Sequence, residues 1–229
     1  MSKIALKLKS VLVTPIDKCE SPQGLFYYPN FLTVDEGISL TTELDGSQKW
    51  TGVSSSENSR RVIHYGYTYP YGGGNLIITD PIPSTYTSLL SRVDTTIKDN
   101  EAIKKLDQLD QLIINQYLPG QNIAPHIDDP SKFGPVVVCF TIGSGVSIDF
   151  TRDGFPTYSI YVEPNSLYVM SGESRSLWRH SIAKRKNDVV LGKTIPRGVR
   201  RSLTFRSVNE NTIKKTPSVI TKIKISQKQ

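Results

Sequence analysis

Apolar and polar positions along the chain fall into two regimes. In the N-terminal part they recur at helical spacing. Thr33 and Glu36 stand as in a capping box, which predicts a helix running through about Glu43. Tyr86, Leu89, Leu90, Val93 and Ile97 share one helical face behind Pro83 and Ser84, predicting a second helix. Between the two, RRVIHYGYTYPY at 60–71 sets Tyr65, Tyr67, Tyr69 and Tyr71 at period two, the alternation of a strand. From Leu112 onward the pattern changes to short apolar runs punctuated by turn residues. LIINQY precedes Pro119-Gly120, and VVVCFTI ends at Gly143-Ser144-Gly145. SIDF and YSIYV flank Asp153-Gly154, a hairpin signal, and YSIYV itself breaks at Pro164-Asn165. LYVM stops at Gly172, and SLTFR at 202–206 is the last clear strand. Short strands at such intervals predict a mostly β fold (a sandwich, barrel or jelly roll) with flanking N-terminal helices. After Val208 the composition turns to Lys, Thr, Ser and Asn. The expected organisation is one domain over 1–209 and a basic, flexible tail over 210–229.

Composition narrows the class of protein. With 37% hydrophobic and 21% charged residues the chain can bury a core, so disorder is excluded. No run approaches the ~18 apolar residues of a membrane span, and Lys3, Lys7 and Lys9 interrupt the N-terminus before a signal-peptide core can form. The expectation is a soluble cytoplasmic monomer, small and basic enough for nuclear entry. Cys19 and Cys139 are too few for a disulfide framework or a cysteine-rich zinc site, and Cys139, inside an apolar run, reads as a buried thiol. The net charge of +7 favours an anionic partner, nucleic acid before a membrane surface, although many basic proteins bind no polyanion.

Candidate chemistry gathers around scarce histidines. His126 and Asp128 form an H-x-D pair, and residues i and i+2 of extended chain project to one side, where they can grip one ion. His180, on a later strand, is a possible third ligand. Two histidines and one carboxylate on one face of an octahedral metal leave positions open, the facial triad of non-haem Fe(II) oxygenases. An accidental H-x-D arises in roughly one such chain in six, and on the pair alone a surface loop with a hydrogen-bonded histidine is the better reading. Further along, RRSLTFR places Arg200, Ser202, Thr204 and Arg206 on one strand face, with two guanidiniums around a polar middle. Such a face can receive a small dicarboxylate, because arginine binds carboxylates bidentately and keeps its charge when buried. Taken alone, a solvated edge strand with its arginines pointing outward is the better reading. The triad and the arginine pair together favour an iron site with 2-oxoglutarate beside it.

These residues resemble the AlkB-type Fe(II)/2-oxoglutarate dioxygenases. Asn115-Gln116-Tyr117 with Pro119-Gly120, then His126-Ile127-Asp128, is similar to the family's NxY…PG…HxD block. Gly143-Ser144, GESR at 172–175 and His180 resemble its middle, and Arg200 to Arg206 its closing R-x5-R. The resemblance covers about 112–208 and reaches back more loosely to Tyr27. Within the family, INQYLPGQNIAPHID, MSGESRSLW, RGVRRSLTFR and RRVIHYGY look like the branch that hydroxylates a modified uridine at the tRNA wobble position. Members of that branch carry RNA-recognition and methyltransferase domains and zinc-binding cysteines, for which this chain has no room or residues.

The resemblance implies a double-stranded β-helix (jelly roll) core and a definite site. His126, Asp128 and His180 would bind Fe(II). Arg200 would pair with the distal carboxylate of 2-oxoglutarate, with Arg206, Asn115 and Tyr117 around the metal. Ser202 and Thr204 would complete that face, Ser202 replacing the asparagine usual in repair enzymes. The activity implied is oxidative decarboxylation of 2-oxoglutarate to succinate and CO2, coupled by O2 to hydroxylation of a C–H bond. On an N-methyl group the product collapses with loss of formaldehyde, whereas on a carbon-linked substituent the alcohol persists. Repair-type members often hold an acidic residue two positions after the metal-binding aspartate. Here Pro130 stands there with Asp129 beside it, which leans toward a neutral base. The segment 60–71 corresponds to a nucleotide-recognition lid, in which Arg60 and Arg61 would hold phosphates and His64 or the tyrosines of the stripe, Tyr65 and Tyr67 among them, would stack on bases. Asp129 and Arg175 are further candidates for substrate contact. The expected partner is nucleic acid, tRNA before others, with a separate methyltransferase or RNA-binding protein in place of the missing domains. The alternatives are a demethylase of 1-methyladenine or 3-methylcytosine in DNA or RNA, a protein hydroxylase, and a binding module with a relic site.

Overall fold

The computed structural model describes residues 21–56, 59–96 and 109–214. After β1 (Leu25–Tyr28), the expected capping box opens helix α1 (Val34–Asp45). The Glu36 amide donates to Thr33 Oγ1 at 3.2 Å while the Thr33 amide donates to Glu36 Oε2 at 2.8 Å, so two orphan donors are satisfied at once. Two short or bent strands, β2 (Thr51–Gly52) and β3 (Arg61–Tyr65), lead to β4 (Tyr67–Thr68) and β5 (Ile77–Ile78). Helix α2 (Ser84–Thr96) follows, and Ile97 lies outside the described residues.

The strand-rich half begins with β6 (Gln111–Tyr117) and β7 (Ile123–His126), then β8 (Phe133–Gly143) and β9 (Val146–Thr151). β10 (Tyr158–Val162) and β11 (Ser166–Met170) precede the short helix α3 (Gly172–Ser176). β12 (Arg179–Ile182), the pair β13 (Asn187–Val190) and β14 (Lys193–Pro196), and β15 (Arg200–Val208) complete the chain of strands. A seven-stranded sheet runs β1-β11-β8-β15-β6-β3-β2, and a four-stranded sheet runs β10-β9-β12-β7. The order interleaves distant parts of the chain, as a double-stranded β-helix does.

Strand parity decides which side chains see which layer. On β8, Val136, Val138, Phe140 and Ile142 join Leu40, Leu44, Tyr86, Leu89 and Val93 in a core between the large sheet and the helices. Val137 and Cys139 turn the other way, toward Ile148, Phe150, Ile160 and Trp178 between the sheets. A strand buried on both faces reads as a continuous apolar run, which is why VVVCFTI shows no alternation. Cys139 is a buried free thiol, as its setting indicated.

Parity also corrects the tyrosine stripe. Gly66 interrupts it with φ +73, and a Cβ there would lie 1.9 Å from the Asp110 carbonyl oxygen, so only glycine fits and the strand bends. Tyr65 therefore stays on the helix face, where its ring sits 6.0 Å from that of Tyr86, while Tyr69 and Tyr71 swing to the opposite side. The start of the expected tail is held in place: Glu210–Thr212 form a 3-10 turn, and the Lys214 amide donates to the Leu76 carbonyl at 2.8 Å.

The β13–β14 hairpin has no counterpart in the sequence reading. Its turn is Leu191-Gly192, with φ of 49° and 75°. A tight hairpin turn with positive φ at both centres is usually marked by Asn-Gly or Asp-Gly, and a leucine in the first place conceals it. Asp188 fixes the hairpin to the body. Its buried carboxylate accepts from Arg197 Nε at 2.7 Å, Arg197 Nη2 at 2.8 Å and Arg185 Nε at 2.9 Å. Replacing Asp188 with alanine strands a buried guanidinium and is expected to cost about 3–5 kcal/mol of unfolding free energy in urea titrations. A loss under ~1 kcal/mol would mean that Arg197 finds water or another acceptor.

Candidate metal centre and substrate cavity

β7 and β12 are antiparallel neighbours, and their register puts His126 opposite His180. The rings lie 4.3 Å apart, centroid to centroid. Asp128, just past the end of β7, brings its Oδ1 to 3.6 Å from His126 Nε2. One donor atom from each of the three side chains lies within 4.8 Å of the others, a spacing that one ion can satisfy. His126 Nδ1 faces the Ala124 carbonyl at 2.8 Å. A carbonyl can only accept, so Nδ1 carries the proton and Nε2 keeps its lone pair for a metal.

The surroundings prepare the other two donors. Burial, then the neighbouring His126, lowers the His180 pKa to about 4, so its imidazole is neutral. Burial opposes ionisation of Asp128, yet the adjacent Arg206 guanidinium holds the carboxyl below the usual carboxylate range. Arg206 Nη1 stands 3.3 Å from Asp128 Oδ1, its Nε donates to Gln111 Oε1 at 2.9 Å, and its plane lies 3.8 Å over the Phe133 ring centroid.

A cavity of about 400 Å³ opens over these groups. The polar face of β15 forms one wall, with Arg200, Ser202, Thr204 and Arg206 inward, and Asn115 and Tyr117 of β6 beside it. Arg200 Nη2 donates to Thr141 Oγ1 at 3.0 Å, while its buried Nε has no partner. A buried cation with an unused donor fits a carboxylate, since leaving such a donor unmatched is costly. Asn115 Nδ2 reaches Ser202 Oγ at 3.5 Å, and Thr204 Oγ1 lies 3.5 Å from Cys139 Sγ. The alternation read from RRSLTFR thus places Arg200, Ser202, Thr204 and Arg206 on one wall, against the solvated-edge alternative.

At the mouth, Arg60 Nε donates to Asn115 Oδ1 at 3.0 Å, and its guanidinium lies 5.7 Å from the Tyr71 ring centroid. Tyr69 and Tyr71 meet edge to face at 5.3 Å. Asp129 also lines the cavity, but its carboxylate is engaged by Lys132 Nζ at 2.7 Å and Ser131 Oγ at 2.6 Å. Those hydrogen bonds, Lys132 first, bring its pKa to about 2.

Other sequence candidates are placed elsewhere. Arg61 points to the helix side, donating to Gln116 Oε1 at 2.6 Å and lying over Trp50. Tyr65 shares that side, and neither lines the cavity. Tyr67 lies past the Gly66 bend and presents its carbonyl to Gln111 Nε2 at 3.3 Å. His64 is on the cavity side of β3 but behind Tyr71, with ring centroids 6.1 Å apart; burial and Arg206 lower its pKa to about 4. Arg175 is not a wall residue. Its guanidinium donates to the Asp128, Gly134 and Phe133 carbonyls at 2.8, 3.2 and 3.3 Å, clamping the segment that carries the metal-site aspartate. Phe133, Tyr168 and Met170 line the cavity without having been picked as site residues. Their signals are weak: an aromatic or methionine in a β-rich chain reads first as core.

The sequence model of the 2OG-Fe(II) oxygenase superfamily matches residues 24–206, which include every wall described above. The chain is an AlkB-type 2OG-Fe(II) oxygenase. It is similar to tRNA (carboxymethyluridine(34)-5-O)-methyltransferase alkbh8 of Xenopus tropicalis, 30% identical over 89% of this chain and 35% of that protein. It is also similar to the alkylated DNA repair protein ALKBH8 homolog of Arabidopsis thaliana, 31% identical over 88% of this chain and 63% of the relative. The chain thus spans about a third of the length of the first relative and less than two thirds of the second. The solved structure of OsALKBH1 superposes with a TM-score of 0.59 at 16% identity, covering 82% of this chain and 98% of that one, which shows the shared fold. As an oxygenase of this family the protein is an oxidoreductase using Fe(II), 2-oxoglutarate and O2, and its histidine–aspartate–histidine cluster suits the metal. Among the described residues no helix of the oxygenase is long and apolar enough to cross a membrane.

Proposed function

We propose that this oxygenase hydroxylates a carbon-linked substituent on a modified uridine of tRNA, at the wobble position. In this reading His126, Asp128 and His180 hold Fe(II), which supplies dioxygen activation coupled to decarboxylation of 2-oxoglutarate. Arg200 receives the distal carboxylate through its unpartnered Nε, and Asn115, Tyr117 and Arg206 position the cosubstrate beside the metal. Arg60, Tyr69 and Tyr71 hold the base, the rings by stacking.

The observation that carries the choice of base is the charge at the cavity mouth. Asp129, the cavity-lining carboxylate outside the metal triad, is neutralised by Lys132. Arg60 pairs with no carboxylate of the described residues, so the mouth offers a net positive charge. Such a mouth favours a neutral or oxygen-rich uridine over 1-methyladenine or 3-methylcytosine. The names of the relatives point both ways, to tRNA uridine and to alkylated DNA, and demethylation is the second reading because Asp129 does reach the cavity.

Nucleoside mass spectrometry tests the two. Incubation with Fe(II), 2-oxoglutarate, ascorbate, total tRNA and a methylated oligonucleotide is expected to add one oxygen to a modified uridine. Loss of methyl groups from the oligonucleotide with tRNA uridines unchanged would reverse the order. Succinate formation with neither changed would direct the search to proteins. The charge argument has its own check. Lys132→Ala frees Asp129 and is expected to raise turnover of a 1-methyladenine oligonucleotide by about 3- to 10-fold, the modest scale of a part-exposed ion pair. An unchanged rate would remove the electrostatic basis of the preference.

A further inference from the structure

The hairpin β13–β14 leaves the barrel between two strands of the cavity: Ser181 and Ile182 precede it on β12, and Arg200 follows it on β15. Its root adjoins the cavity mouth. A Cβ on Gly120 would sit 3.7 Å from Lys186 Cγ, and the neighbouring Gln121 donates to the Ser59 carbonyl at 3.0 Å, one residue from Arg60.

Three features of this hairpin do nothing for the fold. Leu191 occupies a left-handed position that suits Asn, Asp or Gly, and its side chain is 79% exposed. Val189, on the adjoining strand, is 65% exposed. Lys184, Lys186 and Lys193 are exposed and pair with no carboxylate among the described residues, because the single acidic residue here, Asp188, is consumed by Arg185 and Arg197. The same Asp188 bonds, with Arg197 Nη1 on the Ala183 carbonyl at 2.8 Å and the Arg197 amide on the Lys186 carbonyl at 2.9 Å, tie the base of the hairpin together. An apolar tip beside Lys193, on a hairpin whose root carries the unpaired Lys184 and Lys186, is suited to meet a polyanion that also has apolar faces.

We propose that this hairpin is a second RNA contact of the oxygenase. Its lysines hold phosphates flanking the target nucleotide, and Leu191 packs against bases or sugars beyond them. The inference rests on the reading of nucleic acid as substrate. A strand that puts one base in the cavity must cross the rim, where Gly120 lies beside Lys186 and Gln121 is bonded to the residue before Arg60, so cations stand on both sides of the crossing.

The test is equilibrium binding of a fluorescent RNA stem-loop, with uridine in its loop, over a range of salt concentrations. The wild-type chain is compared with the triple variant Lys184→Ala/Lys186→Ala/Lys193→Ala and with Leu191→Gly, which the turn geometry accepts. The triple variant is expected to bind about tenfold or more weakly at low salt, with a log–log salt slope smaller by about 2–3. Leu191→Gly is expected to weaken binding several-fold, on the order of 3- to 10-fold, with the slope unchanged, because it removes apolar contact and no charge. Both should keep wild-type succinate formation on an oligonucleotide too short to reach the hairpin. Wild-type affinity and slope in both variants would overturn the assignment. So would loss of binding to phosphatidylserine vesicles with RNA binding intact, which would make the hairpin a membrane contact. If wild-type protein binds no RNA and no RNA stimulates turnover, the nucleic-acid reading fails first and the hairpin's role with it.

Discussion

Asp128→Ala is expected to lower both bound Fe(II) and 2-oxoglutarate turnover by at least ~100-fold, because even the orienting partners of metal ligands are worth 10- to 100-fold. The substitution removes one of three donors and also leaves Arg206 without its counter-charge, 3.3 Å away in a buried setting. A buried cation stranded in this way costs about 3–5 kcal/mol, so the alanine variant should also melt earlier. Asp128→Asn separates the two effects. It keeps the shape and an acceptor for Arg206 but loses the anionic ligand, so stability should largely return while iron binding does not. Metal content after desalting, succinate formation and thermal unfolding, measured side by side, decide the matter. Full iron loading in the alanine variant would remove the metal centre from these residues.

The second large effect concerns a residue that never enters the cavity. Arg175→Leu is expected to destabilise the protein by about 2–4 kcal/mol, since it leaves one buried and two half-buried carbonyls without their donor, at roughly 1–3 kcal/mol for a fully buried one. Because one of those carbonyls belongs to Asp128, Fe(II) affinity should fall by about 10- to 100-fold as well. A residue contacting substrate would instead raise KM for RNA at unchanged metal affinity. The diagnostic measurement is therefore KM for RNA at saturating Fe(II), which should stay at the wild-type value. Arg175→Lys, with a single ammonium in place of the fork, should recover only part of the metal affinity. A raised KM with normal iron binding would return Arg175 to the substrate side.

Much of this enzyme is written in local pattern. The capping box of Thr33 and Glu36, the apolar face of Tyr86, Leu89 and Val93, and the turn-bounded strands from Leu112 follow from backbone preferences that act over a few residues. The polar face of RRSLTFR is equally local, because alternation in a strand is set by geometry within the strand. So are His126 and Asp128, which need only extended chain to share a side. Tertiary structure decided what depends on distant partners. His180 joins the pair because β12 lies beside β7 in one register, and a slip by one residue would turn its ring away. Alternation puts Arg61 and Tyr65 on the opposite face of β3 from Arg60 and His64, but only pairing with β6 decides which of the two faces meets the cavity. Gly66 bends the stripe that seemed continuous because the Asp110 carbonyl occupies the space a side chain would need. Arg175 is a clamp only because α3 packs beside the segment after β7, and Asp129 is silent only because Lys132 folds back onto it. Sequence determines which groups can face one way along a strand, whereas the pairing of strands far apart in the chain determines which of those faces meet.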